Sequence, residues 1–131
     1  MFVDASALTA ILTGEADAAE LLARLDVHKK RVTSPLAVWE TTIAVARGLG
    51  LTIAESRMAV KDFLALATIM VESVPSEAAD MALDAFDRYG KGRHPAALNF
   101  GDCFAYACAR LGRVPMLYKG DDFPLTDIEP A

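Results

Sequence analysis

Five carboxylates lie in stretches otherwise composed like a protein interior. Asp4 closes the run Met1-Phe2-Val3, and Glu40 follows Trp39 on an apolar segment. Asp102 stands in Gly101-Asp102-Cys103-Phe104-Ala105, and Asp121 and Asp122 follow Met116-Leu117-Tyr118. Acidic side chains are seldom buried unless they are paired or hold a metal. No His or Cys stands at chelating spacing with them, and an all-oxygen donor set selects Mg²⁺ or Mn²⁺ over Zn²⁺. Carboxylates gathered at one place repel one another and bind protons more tightly until a cation arrives. A cation held there lowers the pKa of a bound water and draws charge from a substrate oxygen.

That chemistry requires a fold that brings the acids together. Met1 to Asp4 reads as a short buried strand, and Ser6 as the cap of a helix through Leu12. Glu15 to Leu25 has Leu21, Leu22 and Leu25 at helical spacing. A second strand, Arg31 to Ser34, leads into Ser34-Pro35, a helix start with Ser at the N-cap and Pro at the first helical position. This helix runs to Arg47 and stops at Gly48 or Gly50. Thr52 caps a helix to about Ala67. Ile69 to Val74 is a third strand, and Pro75 opens a helix ending near Tyr89-Gly90. Lys91 to Leu98 is a basic loop; Asn99 caps a helix to Leu111, ended by Gly112. Val114 to Tyr118 is a fourth strand, with Thr126 to Ile128 as a short edge strand.

Strands alternating with helices predict an α/β domain with a mostly parallel sheet of four to five strands flanked by helices. Crossover helices run antiparallel to their strands, so helix N-termini and strand C-termini share one edge, where ligands of open α/β sheets bind. All five acids map to that edge. Local roles are available to some of them. Asp102, three residues after Asn99, has the spacing of a capping box. Asp121 and Asp122 suit a turn after Gly120. Glu40 shares its helix face with Leu36, Ile43 and Ala44, and Arg47 is the one basic residue suitably close.

Bulk properties bound the rest. The chain has 131 residues, which fits one domain spanning 1–131. A net charge of −5 excludes a generally basic nucleic-acid coat, so any contact with nucleic acid must be local or metal-bridged. Cys103 and Cys108 lie on one predicted helix, five positions apart, and are expected as free thiols. No segment is long and apolar enough to span a membrane, and no secretory signal is visible, so a cytoplasmic setting is expected.

Four segments, in order, carry a family resemblance: Phe2-Val3-Asp4-Ala5-Ser6-Ala7-Leu8, Ser34-Pro35-Leu36-Ala37-Val38-Trp39-Glu40, Leu98-Asn99-Phe100-Gly101-Asp102-Cys103 and Leu117-Tyr118-Lys119-Gly120-Asp121-Asp122-Phe123, with Thr126-Asp127-Ile128 as the ending. With them the chain resembles the PIN-domain ribonucleases, and among these the VapC toxins of bacterial toxin–antitoxin pairs. The resemblance implies that Asp4, Glu40 and Asp102 are the first three catalytic, metal-binding acids. The fourth is Asp121 or Asp122. Ser6 matches the family's hydroxyl beside the first acid, and Asp127 is placed to stabilise the C-terminal strand. Also implied are a Mg²⁺- or Mn²⁺-dependent endoribonuclease leaving a 5′-phosphate and a 3′-hydroxyl, a structured RNA substrate, a VapB-like antitoxin, and a homodimer or larger toxin–antitoxin assembly. The helix from Thr52 to Ala67, with Ile53, Met58, Val60, Phe63 and Leu64, offers either a dimer interface or packing against the sheet. Arg93 and Lys119 are the cations expected to steer RNA toward the acids.

Other classes fit less well. The chain has no Gly-rich phosphate loop with Lys-Ser/Thr and no nucleophile elbow. A haloacid-dehalogenase-type phosphatase wants a second Asp where this chain has Ser6. A receiver domain wants adjacent acids near the first strand. A metal- and partner-binding module without catalysis is the rival reading, and metal-dependent RNA cleavage separates the two.

Overall fold

A computed structural model describes all residues, 1–131. Four strands, β1 (Phe2–Val3), β2 (Arg31–Thr33), β3 (Ile69–Val71) and β4 (Met116–Leu117), form one wholly parallel sheet in the order β3-β2-β1-β4. Six helices surround it: α1 (Ala5–Thr13), α2 (Ala18–Val27), α3 (Pro35–Leu49), α4 (Ile53–Leu66), α5 (Ala78–Tyr89) and α6 (Phe100–Gly112). The α/β architecture is the one expected, with four strands.

Two-residue periodicity divides the core between the faces of the sheet. Phe2, Val32 and Met116 pack with α5 and α6 on one face. Met1, Val3, Ile69 and Leu117 pack with α1, α2 and α4 on the other. On α4 the apolar residues divide: Val60 and Leu64 are buried in that second core, whereas Ile53 and Met58 are exposed. No single helix is long and apolar enough to cross a membrane. Both cysteines are free.

The chain leaves β1 toward β2 on one side and returns to β4 on the other. β1 is therefore the point where strand order reverses, and the crevice beyond its C-terminal end is the ligand position that this topology creates.

Several boundaries differ from the sequence reading. Asp4, not Ser6, caps α1: its backbone is extended and its carboxylate accepts the Ser6 N–H at 2.9 Å. Helix α2 starts at Ala18 after a turn. Helix α3 runs through Gly48 to Leu49, with Gly50 in the left-handed conformation beyond it. Strand β3 ends at Val71; the Glu72 N–H bonds Thr33 O at 2.9 Å, and the chain then leaves the sheet. Pro75 precedes a turn, so α5 begins only at Ala78. Gly112 is still helical, and Arg113 supplies the left-handed cap.

Thr126 to Ile128 is not a strand. Thr126 Oγ1 donates to Phe123 O at 2.7 Å and accepts the Ile128 N–H at 3.2 Å, which curls the segment into a turn after a short 3₁₀ helix. The C-terminus meets the sheet only at a parallel bridge between Pro130 and Met116. Asp127 anchors this segment, accepting from Tyr106 Oη at 2.6 Å and from Arg88 at 3.3 Å. Tyr106→Phe is expected to cost about 1 kcal/mol, the value of a partly exposed hydrogen bond. Urea unfolding checks this: the midpoint should fall while the denaturant slope stays unchanged.

Candidate functional site

Asp4 leaves the end of β1, and its N–H bonds Leu117 O across the sheet at 2.9 Å. Its carboxylate is buried and tied down by Ser6, whose N–H and Oγ both donate to Oδ2, at 2.9 and 2.5 Å. The same Ser6 oxygen accepts the Lys119 N–H at 3.0 Å. One hydroxyl thus links the first acid to the chain leaving β4. No side chain donates to Asp4 Oδ1.

Asp102 sits in the first turn of α6 because Asn99 caps that helix. Asn99 Oδ1 accepts the Asp102 N–H at 3.0 Å, and Asp102 Oδ2 accepts the Asn99 N–H at 2.8 Å, a reciprocal capping box. Its Oδ1 receives no side-chain donor either. The capping role and a site role therefore coexist on different oxygens.

Glu40 comes from the second turn of α3, which packs against both α1 and α6. Its carboxylate lies directly against Gly101, in the space that a Cβ on that residue would occupy. Asp4, Glu40 and Asp102 line one open cleft of about 520 Å³, together with Ser6, Trp39 and Arg47.

None of these three acids forms an ion pair; the ion pairs of the molecule lie elsewhere. Burial and mutual repulsion decide their protonation. Burial raises Asp4 above its ordinary range, against the two Ser6 hydrogen bonds that pull it down. Glu40 is pushed up to about 6, by burial first and then by the charges of Asp4 and Asp102. Asp102 is likewise pushed up to about 6, by burial and by Asp4 and Asp122, with the Asn99 N–H opposing. No side-chain cation lies within ion-pair distance of these acids to offset the shifts.

Of the adjacent aspartates, Asp122 is the one whose charge bears on Asp102. Both are exposed in one bend, and neither lines the cleft itself. No three carboxylates stand close enough to grip an ion unaided. That agrees with Mg²⁺, which commonly takes one or two carboxylates and keeps water in its other positions. The donors are hard oxygens, and both Asp4 and Asp102 keep one oxygen clear of side-chain donors, so the residues fit such an ion.

The two cations singled out from sequence are placed differently. Lys119 lines the cleft, but its ammonium pairs with Glu15 and lies 3.5 Å from Asp17. Arg93 does not line the cleft; it pairs with Asp87 at 2.9 Å and sits over the Phe86 ring. Arg47 is exposed in the cleft with no carboxylate partner. It stands seven residues after Glu40, two helical turns along the same face, so its spacing carried the signal. Trp39, 66% exposed, places an indole at the same opening and was readable only as a helix residue.

Because Glu40 is more basic in the folded chain, its neutral form stabilises the fold at low pH. That contribution fades as pH rises from the ordinary glutamate range through about 6. Metal-free Glu40→Gln should therefore be more stable than the parent by about 1 kcal/mol at pH 7.5, after allowance for solvent screening. The gain should vanish near pH 4, below the ordinary glutamate range. Thermal unfolding in EDTA at the two pH values tests this, and an equal gain at both would contradict the electrostatic account.

Comparison with known proteins places this geometry. Residues 1–129 match the family model described as PIN domain. A protein named ribonuclease VapC from Mycolicibacterium smegmatis is 40% identical over 128 residues, covering 98% of this chain and 97% of that one. A VapC ribonuclease of Rhizobium meliloti is also 40% identical, covering 97% of this chain and 98% of its own. Ribonuclease VapC30 of Mycobacterium tuberculosis is 37% identical over 98% of this chain and 95% of its own. Among solved structures, Mycobacterium tuberculosis VapC20, described as a sarcin-ricin loop cleaving toxin, superposes with a TM-score of 0.72. It covers 98% of both chains at 21% identity, a likeness of fold.

Proposed function

The chain belongs to the PIN-domain family and to its VapC ribonucleases, and from that premise we propose that it is a toxin endoribonuclease whose Mg²⁺- or Mn²⁺-dependent site is the cleft at the end of β1. One observation carries this reading. Asp4, Glu40 and Asp102, from distant parts of the chain, face one cleft without any ion pair, and burial together with their mutual repulsion lifts Glu40 and Asp102 to about 6. Uncompensated negative charge of this kind costs stability, and a divalent cation relieves it.

In this reading Asp4, Glu40 and Asp102 would surround the ion, directly or through the waters it keeps, with Asp122 rather than Asp121 as the fourth acid. When bound, the ion supplies Lewis acidity toward the phosphate and lowers the pKa of a water. The protein's own groups do the positioning. Ser6 fixes the rotamer of Asp4 and, through the Lys119 N–H, its distance from the loop that carries Asp122. Asn99 fixes Asp102. Deprotonated Glu40 and Asp102 are required for the cation to enter, so cation affinity should climb as pH rises through about 6.

Arg47 and Lys119 are the two cations at the opening, and we assign RNA steering there first to Arg47, whose charge is unshared. Arg93 is left to RNA that extends beyond the cleft. The substrate is cellular RNA, which implies work in the cytoplasm, and a VapB-like antitoxin is the partner that would occlude the cleft. A second copy of the chain would meet this one through the exposed Ile53 and Met58 face of α4; light scattering across a concentration series tests that, and a strictly monomeric species removes it.

Purified protein incubated with total cellular RNA should release discrete fragments in Mg²⁺ or Mn²⁺ and none in EDTA. Asp4→Asn should lower the rate at least about 100-fold, the upper range for losing even an indirect metal partner, with the far-ultraviolet circular dichroism unchanged. Undiminished, metal-dependent cleavage by Asp4→Asn would overturn the site. Arg47→Ala should weaken RNA binding and reduce the salt slope by about 1, as loss of one phosphate contact does. An unchanged slope would remove Arg47 from the interface.

A further inference from the structure

Glu40 and Asp102 approach one another only because the residue between their elements has no side chain. Helix α6 begins Phe100-Gly101-Asp102, and Gly101 is buried against α3. A Cβ built on Gly101 would overlap both oxygens and the carboxyl carbon of Glu40. The conflict is purely one of space: Gly101 is helical and is not among the glycines with positive φ. Nothing in the backbone conformation calls for glycine here, and helix propensity favours almost any other residue. The remaining explanation is the neighbouring carboxylate.

We infer that Gly101 is a positioning residue for the metal site, the seat that lets the Glu40 carboxylate lie over the first turn of α6 beside Asp102. This rests on the metal-dependent nuclease reading above only for its consequence; the seat itself is a matter of packing. A methyl group at residue 101 cannot be accommodated by backbone yielding alone, because α3 and α6 are both held by the core behind them. Val45 and Ala46 of α3 and Cys103, Ala105 and Tyr106 of α6 are all buried. The mobile part is the Glu40 side chain, so the carboxylate must swing away and the third donor leaves the cleft. The lone glycine thereby sets the distance between two acids contributed by different helices.

The test is a double-mutant cycle on the full chain with Gly101→Ala, Glu40→Ala and the pair together, read twice. The first reading is thermal unfolding in EDTA. Gly101→Ala should raise the melting temperature by about 4 °C when Glu40 is already Ala, where it replaces a helical glycine by a better helix former, and raise it less or not at all in the parent background, where the Glu40 side chain must be displaced. If Gly101→Ala alone does not fold while the double variant does, that is the same coupling in its strongest form. The second reading is Mn²⁺ affinity by calorimetry. Gly101→Ala should weaken it about 10- to 100-fold, as loss of a ligand-orienting contact does, and add nothing further in the Glu40→Ala background.

An equal change of melting temperature in both backgrounds, or Mn²⁺ binding by Gly101→Ala as tight as the parent's, would overturn the inference. A parent chain that binds no Mn²⁺ while the EDTA cycle shows coupling would leave the seat standing and remove the metal-dependent reading instead.

Discussion

The fold holds like charges together without neutralising them. Asp4, Glu40 and Asp102 share one cleft, two of them are lifted to about 6, and no Lys or Arg ion-pairs with any of the three. Repulsion among partly buried carboxylates works against folding. The groups that oppose it are backbone N–H donors and hydroxyls, which stabilise a carboxylate without cancelling its charge. Ser6 serves Asp4, and Asn99 serves Asp102. A cationic partner would relieve the same strain more fully, but it would also fill the cleft.

The rest of the domain can be understood as the frame for this concentration of charge. Parallel strands buried on both faces give β1 a fixed end, and the reversal of strand order at β1 opens the crevice there. The hydroxyl of Thr33 donates to Val3 O at 2.8 Å, holding β2 to β1 at the level of Asp4. Helices α1, α3 and α6 then bring one acid each. Two of these acids occupy helix starts, Asp4 as the N-cap of α1 and Asp102 in the first turn of α6, where the helix dipole favours negative charge. Capping and the site use the same residues.

Cations stand at the rim of the cleft rather than its floor. Lys119 is shared with Glu15 and Asp17, whereas Arg47 is unshared. That arrangement attracts a polyanion without collapsing onto the acids. It also gives a molecule of negative net charge a local patch of positive charge. Apolar side chains left exposed on α5 and α6, including Leu83, Phe86 and Phe100, line a separate groove that none of this chemistry uses.

Much of this was legible from residue order. Alternating strand and helix patterns, Ser34-Pro35, the Asn99 to Asp102 spacing and acids after apolar runs report local preferences, and local preferences survive folding. Boundaries were less legible where two residues competed for one role: Asp4 over Ser6 as a cap, Arg113 over Gly112 as a helix end, a hydroxyl-stabilised turn at Thr126 over a strand. Arg47 was readable by its spacing from Glu40, but its freedom from ion pairs was not. The preference for Asp122 over Asp121 and the diversion of Lys119 to Glu15 depend on which groups meet through space. So does the fit of Glu40 against Gly101. By itself the sequence determined that Asp4, Glu40 and Asp102 would gather at one edge of the sheet, because periodicity and capping are written in short stretches of chain. Tertiary structure alone decided distances, partners and protonation, because Coulomb interactions and steric exclusion act between atoms that only packing brings together.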